Sequence, residues 1–148
     1  MTYSERLKVP ALWLVVAALG LLSLAVAVFA YLPVGQSAAF TGLAVVGAAV
    51  GLYAYGRTPL TVDGEAFTAG RYRLERSYIA DAEAITGADA AHAVGPGADH
   101  RAFLFTRPFI RDVVKVTLDD PADPHPYWLV STRDAAALAA ALTGKPLP

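Results

Sequence analysis

The chain reads as a membrane α-helical hairpin followed by a compact α+β domain, and three observations carry that reading. Residues 9–56 contain no charged side chain. A short polar break, Pro33 to Ser37, divides this run into two apolar segments. From Leu60 onward continuous hydrophobicity gives way to period-two alternation, and the last periodic segment returns to helical spacing. The expected architecture is therefore two transmembrane helices and then a small antiparallel β-barrel or split barrel closed by a C-terminal helix. The boundary falls between residues 1–56, tail and hairpin, and residues 57–148, the domain.

Val9 to Leu32 and Ala38 to Tyr55 supply 24 and 18 residues, and a hydrocarbon core about 30 Å thick needs about 20 in a helix. The first segment can tilt, whereas the second only just crosses. Two alternatives compete. A buried soluble hairpin would need more surrounding chain than the remaining residues provide. A cleaved signal peptide would explain Arg6 and Lys8, but its apolar core is normally about 7–15 residues and no second apolar stretch follows so soon.

Arg6, Lys8 and Arg57 flank the outer ends of the hairpin, and the connecting turn has no cation. Positive residues near spanning ends stay on the cytoplasmic side. The turn should then face outward, with both termini cytoplasmic and the chain a multi-pass protein of the plasma (inner) membrane. Tyr3, Trp13, Tyr31, Tyr53 and Tyr55 fall near the interfaces, where amphipathic rings concentrate. Cysteine is absent, which excludes disulfides and thiolate metal sites.

No ionisable group lies within the spans, and ion pathways need such groups or unwound polar backbone at bilayer depth. Anchoring is the better reading than transport. Ser23 and Thr41 are the hydroxyls well inside the spans, where such residues usually bond their own helix. Gly47 and Gly51 form a GxxxG that admits close approach of another helix, either the first span or a second copy of the chain.

In the domain, Leu60 to Val62, Phe67 to Ala69, Tyr72 to Leu74, Tyr78 to Ile85, Ala102 to Thr106, Val113 to Leu118 and Tyr127 to Ser131 read as strands. Gly87 to Asp99, rich in Gly, Ala and Asp, reads as a mobile loop with room for a short helix. Thr132 is the expected N-cap of the closing helix, whose buried stripe is Ala135, Leu138, Ala139 and Leu142, with Gly144 and Pro146 ending it.

Chemistry is densest in Asp119-Asp120-Pro121-Ala122-Asp123-Pro124-His125-Pro126. Its spacing fits no calcium loop, and its prolines favour a stiff connection in which Asp side chains take backbone donors. An interaction epitope or a catalytic loop is the competing reading. His92 and His100 lack ligand partners at zinc spacing, Asp99 and Arg101 suit a local ion pair, and no nucleotide or hydrolase motif occurs. No catalytic, cofactor-binding or metal residue is therefore expected. Residues 57–148 hold ten Lys or Arg against twelve Asp or Glu, which argues against nucleic-acid binding. Arg71, Arg73 and Arg76 cluster on one expected hairpin, and Arg101, Arg107, Arg111 and Lys115 along another; either set could touch anionic headgroups.

The run of strands followed by one helix resembles bacterial pleckstrin-homology-like domains. Tyr3-Ser4-Glu5-Arg6-Leu7 with Val9-Pro10, Ala98-Asp99-His100-Arg101-Ala102-Phe103, and Asp120 to Arg133 including Tyr127-Trp128 resemble, nearly end to end, the actinobacterial membrane-protein family catalogued as domain of unknown function 3093. That resemblance implies two membrane helices and a cytoplasmic domain, and no assigned activity. Arg71, Arg73, Arg76, Asp99, Arg101, Asp119, Asp120, Asp123, Tyr127, Trp128 and Arg133 are the candidate interaction residues. The expected function is a membrane-tethered interaction or regulatory module, with the bilayer, anionic headgroups, a membrane protein or a second copy as partners. The alternatives are an enzyme using the Asp119 to His125 loop, or an accessory subunit of a membrane complex.

Overall fold

A computed structural model describes residues 2–145; Pro146, expected beyond the closing helix, lies outside them. The chain divides into two compact units, one spanning Lys8–Thr58 and the other joining the residues up to Leu7 with those from Pro59 onward.

The first unit is the apolar hairpin, α1 (Ala11–Tyr31) and α2 (Val34–Tyr55). Each is long and apolar enough to cross a membrane. Pro10 and Pro33 occupy the two N-cap positions, where the missing N–H costs nothing and the fixed φ leads into the helix. The connection is tighter than the five-residue break expected, because α2 already begins at Val34. Ser37 explains how a polar residue fits there. It is fully buried, and its Oγ donates to the carbonyls of Leu32 at 3.1 Å and Val28 at 3.2 Å. The Val28 carbonyl also accepts the Leu32 N–H at 3.0 Å, so Ser37 adds a second donor to it and takes the Leu32 carbonyl at the helix end.

The helices meet along Ala17, Leu21, Ala25 and Val28 of α1 and Thr41, Ala44, Ala48 and Leu52 of α2, the half-buried positions at three and four residue spacing. Gly47 and Gly51 are not among them. A Cβ added at either would meet nothing within 4 Å, so α1 does not use the GxxxG, and one of its two expected partners is removed.

The second unit carries two four-stranded sheets, its strands numbered in chain order. The first sheet runs β1-β2-β3-β4, from Tyr3–Leu7, Thr58–Val62, Ala66–Ala69 and Tyr72–Glu75. The second runs β5-β7-β8-β6, from Ile79–Ile85, Val113–Leu118, Tyr127–Ser131 and Phe103–Phe105. Helix α3 (Gly87–Val94) follows β5, and α4 (Ala135–Thr143) closes the chain.

Three expectations need correction. The sheets do not join into a closed barrel, and the pairing is not all antiparallel: β6 runs parallel to β8, with Phe103 opposite Trp128 and Phe105 opposite Val130. The N-terminal tail, grouped with the hairpin in residues 1–56, is the edge strand β1 of the domain's first sheet. Its Leu7 is fully buried in the domain core. The short helix for which the Gly87 to Asp99 segment had room does form, over Gly87–Val94, pinned by Ala90, which is fully buried against Val113 and Leu129.

The main core lies between the sheets and under α4, with Phe67, Leu60, Val114, Val116, Val130 and Leu138 at its centre. Because Val114 and Val130 face this core while Val113 and Leu129 face the smaller cluster under α3, the inner strands β7 and β8 are apolar on both sides. Where the sheets fail to pair, rings fill the corner: Tyr72 of β4 meets Phe103 of β6 edge-on at 4.9 Å, and Phe103 lies 4.7 Å from Trp128.

Candidate functional site

A cleft of about 710 Å³ lies between α3 and the β6–β7 loop, a size typical of small-molecule sites. One wall is α3, presenting Ala88, Ala91 and Val94; the other is Thr106, Arg107, Pro108, Ile110 and Arg111, with Ser131 between them. Local bonding holds both walls. Ser131 is fully buried, and its Oγ accepts the Arg107 backbone N–H at 2.9 Å. The Arg107 guanidinium lies 4.9 Å over the Phe105 ring. On the opposite side, Asp112 Oδ1 accepts the Gly87 N–H at 3.3 Å, while the Asp112 carbonyl accepts from Thr132 N. Among the described residues the cleft lining contains the Arg107 and Arg111 side chains and a mostly aliphatic surface, and no carboxylate-bearing residue.

Arg107 and Arg111 were expected along a hairpin. They occupy instead the loop between two strands that never pair, because β6 and β7 lie on opposite sides of β8. Lys115, on β7, sits 4.6 Å over the Tyr127 ring. The other cationic set also separates. Arg71 donates to Tyr72 Oη at 2.9 Å, Arg73 is exposed, and Arg76 is structural, reaching the carbonyls of Leu142 at 3.1 Å and Asp63 at 3.2 Å.

Two of the three carboxylates in the Asp119 to Pro126 segment serve its own backbone. Asp120 Oδ1 accepts from Ala122 N at 2.9 Å, and Asp123 Oδ1 accepts from His125 N at 2.8 Å and contacts His125 Nδ1 at 2.6 Å. Asp119 is exposed, its N–H donating to the Tyr78 carbonyl. Among the described residues no group of three or more His, Asp or Glu is placed to hold a metal. Asp99 pairs with Arg101 at 3.4 Å, and the Arg101 backbone N–H, chief among the groups facing it, holds its carboxyl below the usual range. The Asp99 N–H donates to Tyr127 Oη at 2.8 Å. Trp128 is buried, and its indole Nε1 has no hydrogen-bond partner among the described residues.

Thr132, expected to cap α4, has another task. Asp134 is the N-cap, accepting from Ala137 N at 2.9 Å. The fully buried Thr132 donates to Glu5 Oε2 at 2.6 Å, and the same carboxylate takes Tyr3 Oη at 2.8 Å and, on its other oxygen, Arg133 N at 3.1 Å. Burial pushes the Tyr3 phenol well above its ordinary value. Strand β1 is thus latched by charge-assisted bonds to the junction between β8 and α4. Sequence reading missed this because nothing local distinguishes a carboxylate that will meet a hydroxyl more than a hundred residues away. The cleft escaped it for the same reason: its aliphatic wall is a helix inside a stretch with no clear period.

A family model described as "Protein of unknown function (DUF3093)" matches residues 2–142. No curated protein and no solved structure matches the chain.

Proposed function

The chain belongs to that family of unknown function, DUF3093, and on this premise we propose that it is a membrane-tethered binding module: the hairpin anchors, and the two-sheet domain, read as pleckstrin-homology-like, works at the inner leaflet. One observation carries the proposal. The strand ending immediately before the hairpin, β1, and the strand starting immediately after it, β2, are neighbours in one sheet. Both ends of the apolar segment must then lie on one face of a membrane, which an even number of crossings satisfies and a single crossing cannot. Signal-peptide cleavage would remove a strand whose Leu7 is core and whose Glu5 latches Thr132.

The exposed surface of both helices supports insertion. Leu19, Leu22, Val26, Leu43, Val46 and Val50 all face outward, a cost in water that hydrocarbon abolishes. Arg6, Lys8 and Arg57 at the ends favour a cytoplasmic position for those ends. The Asp120 and Asp123 carboxylates are committed to backbone donors within their own segment, and this favours binding over catalysis as the domain's task.

The absence of cysteine makes the test direct. Gly35→Cys in the turn and Arg133→Cys in the domain give single thiols, probed in intact cells with a membrane-impermeant maleimide. The expected result is labelling of the turn from outside and of the domain only after permeabilisation. Labelling of both from the same side overturns the anchor. Crosslinking from native membranes then compares the full chain with residues 1–58, and an unchanged partner set sinks the binding role of the domain.

A further inference from the structure

We propose that the free edge of β4 pairs with the same edge of a second copy of the chain, antiparallel and in the register that sets Arg73 of one copy opposite Glu75 of the other. Strand β4 ends the first sheet, with β3 on one side and no strand on the other. The bonds of its neighbours fix which of its backbone groups point outward. Arg76 N donates to the Glu65 carbonyl at 2.9 Å, so that opposed pair is a hydrogen-bonded one, and alternation along the register then turns Leu74 and Tyr72 toward Phe67 and Ala69 of β3. Gly70 N on the Pro59 carbonyl and Asp63 N on the Ala66 carbonyl give the same phase on the β2 side. Arg73 and Glu75 are left presenting N–H and C=O to the open edge, and no turn or loop bond reaches them among the described residues.

Edge strands commonly use charge to turn a second strand away, and two like charges here would do so. Arg73 and Glu75 instead have opposite signs two residues apart, both exposed on the face away from the core. A two-fold axis at Leu74 converts that spacing into a match. Each Arg73 then meets the other copy's Glu75, both members of each pair are outward-pointing residues able to exchange backbone bonds, and Leu74 lies opposite Leu74 between them. Symmetric registers centred one residue either way put Arg73 against Arg73 or Glu75 against Glu75, so charge selects the register. Neither side chain has a hydrogen bond or ion pair among the described residues, and the one electrostatic influence of Arg73 recorded there is its pull on Asp63. The rings of β6 reach β4 at Tyr72, which packs on the core side, opposite to Arg73 and Glu75. Strand β1, at the other end of the sheet, exposes Ser4 and Arg6 and offers no such match.

Full-length chain carrying Asp89→Cys, an exposed position and the sole thiol, is labelled with a donor or an acceptor fluorophore and co-reconstituted in phosphatidylcholine vesicles. Saturable energy transfer is expected, weakened about tenfold or more by Arg73→Glu or Glu75→Arg alone, since each makes both cross-strand pairs repulsive. Donor on Arg73→Glu mixed with acceptor on Glu75→Arg should restore it, as should the double swap within one chain. Unfolding temperatures equal to the parent's show that charge and not folding has changed; if a reversal does not fold, Arg73→Gln and Glu75→Gln take its place, and each should weaken transfer by a smaller factor. No transfer between parent chains at any protein density overturns the pairing. Transfer unchanged by these variants also overturns it, and leaves a second copy to the Gly47 and Gly51 face. Loss without recovery in the mixture and in the double swap shows that Arg73 and Glu75 do not face each other, and overturns it equally. The pairing uses the domain's own edge whichever way the chain is oriented, so this result and the cysteine-labelling result succeed or fail separately.

Discussion

The hairpin and the domain spend their apolar residues in opposite ways. In the hairpin most large side chains point outward, and one narrow seam, with Ala17, Leu21, Ala25 and Val28 against Thr41, Ala44, Ala48 and Leu52, faces inward together with Ser37. In the domain the large apolar groups are enclosed between sheets, and the specific contacts are polar: Glu5 with Thr132, Ser131 with Arg107, Asp112 with Gly87. The contrast shows where each unit's stability comes from. The hairpin depends on its surroundings being apolar, whereas the domain depends on shape and on a few satisfied buried polar groups.

The sharpest way to break the comparison is to delete one large side chain from each unit. Trp128→Ala should cost the domain about 3–5 kcal/mol, read by chemical denaturation, while Leu19→Ala, whose side chain is mostly exposed, should leave the hairpin intact. Trp128→Phe separates volume from polarity: losing an unpartnered buried N–H offsets part of the lost packing, so it should cost well under half as much. Charge inverts the ranking. Leu22→Arg should oppose insertion by about 2.5–3.5 kcal/mol, seen as release by alkaline extraction, whereas Arg73→Leu on the domain should change extraction little.

Glu5→Ala tests the latch. It removes the acceptor of the Thr132 hydroxyl and of the Arg133 N–H, leaving Thr132 only Tyr3 and the Asp134 N–H, and should destabilise the domain by about 1–2 kcal/mol. The same contact predicts an alkaline limb. Tyr3 is raised in the folded state, so its contribution is complete below the unfolded phenol value of about 10 and is lost as pH climbs through the folded one; Tyr3→Phe should flatten that limb in a stability profile. Asp63 behaves in the opposite sense. The N–H groups of Ala66 and Glu65 lower its carboxyl, so its contribution is present above the ordinary Asp value and disappears as acid titrates through the lowered one. The smallest effect is expected from Gly47→Leu with Gly51→Leu, since added side chains there enter open space within one chain. Unchanged insertion with loss of a crosslinked dimer would assign that face to a second copy.

Legibility followed the same division. The two apolar helices could be read directly, because the absence of charge over a long run is a property of consecutive residues. Strands β3, β7 and β8 and the stripe of α4 were also legible, since Leu138 and Leu142 repeat at helical spacing and Val114 and Val116 alternate. Strand β1 was not: its alternation is short, charged and isolated, and it becomes a strand only because β2 lies beside it. Parallel pairing of β6 with β8 was invisible for a related reason, as nothing in three residues encodes direction. The family-bearing segments also proved to be spatial neighbours, Tyr3 and Glu5 meeting Thr132 and Arg133, and Asp99 meeting Tyr127.

The adjacency of β1 and β2 also sets an order of events during synthesis. Residues 3–7 leave the ribosome before their sheet partner, which is made only after the whole apolar hairpin has emerged. On the membrane-tethered reading proposed above, the growing chain would hold this strand unpaired, with Leu7 uncovered, until the hairpin had crossed and returned. A hairpin stalled halfway would leave the two strands on opposite faces and the sheet incomplete, so that folding of the domain would report on correct insertion.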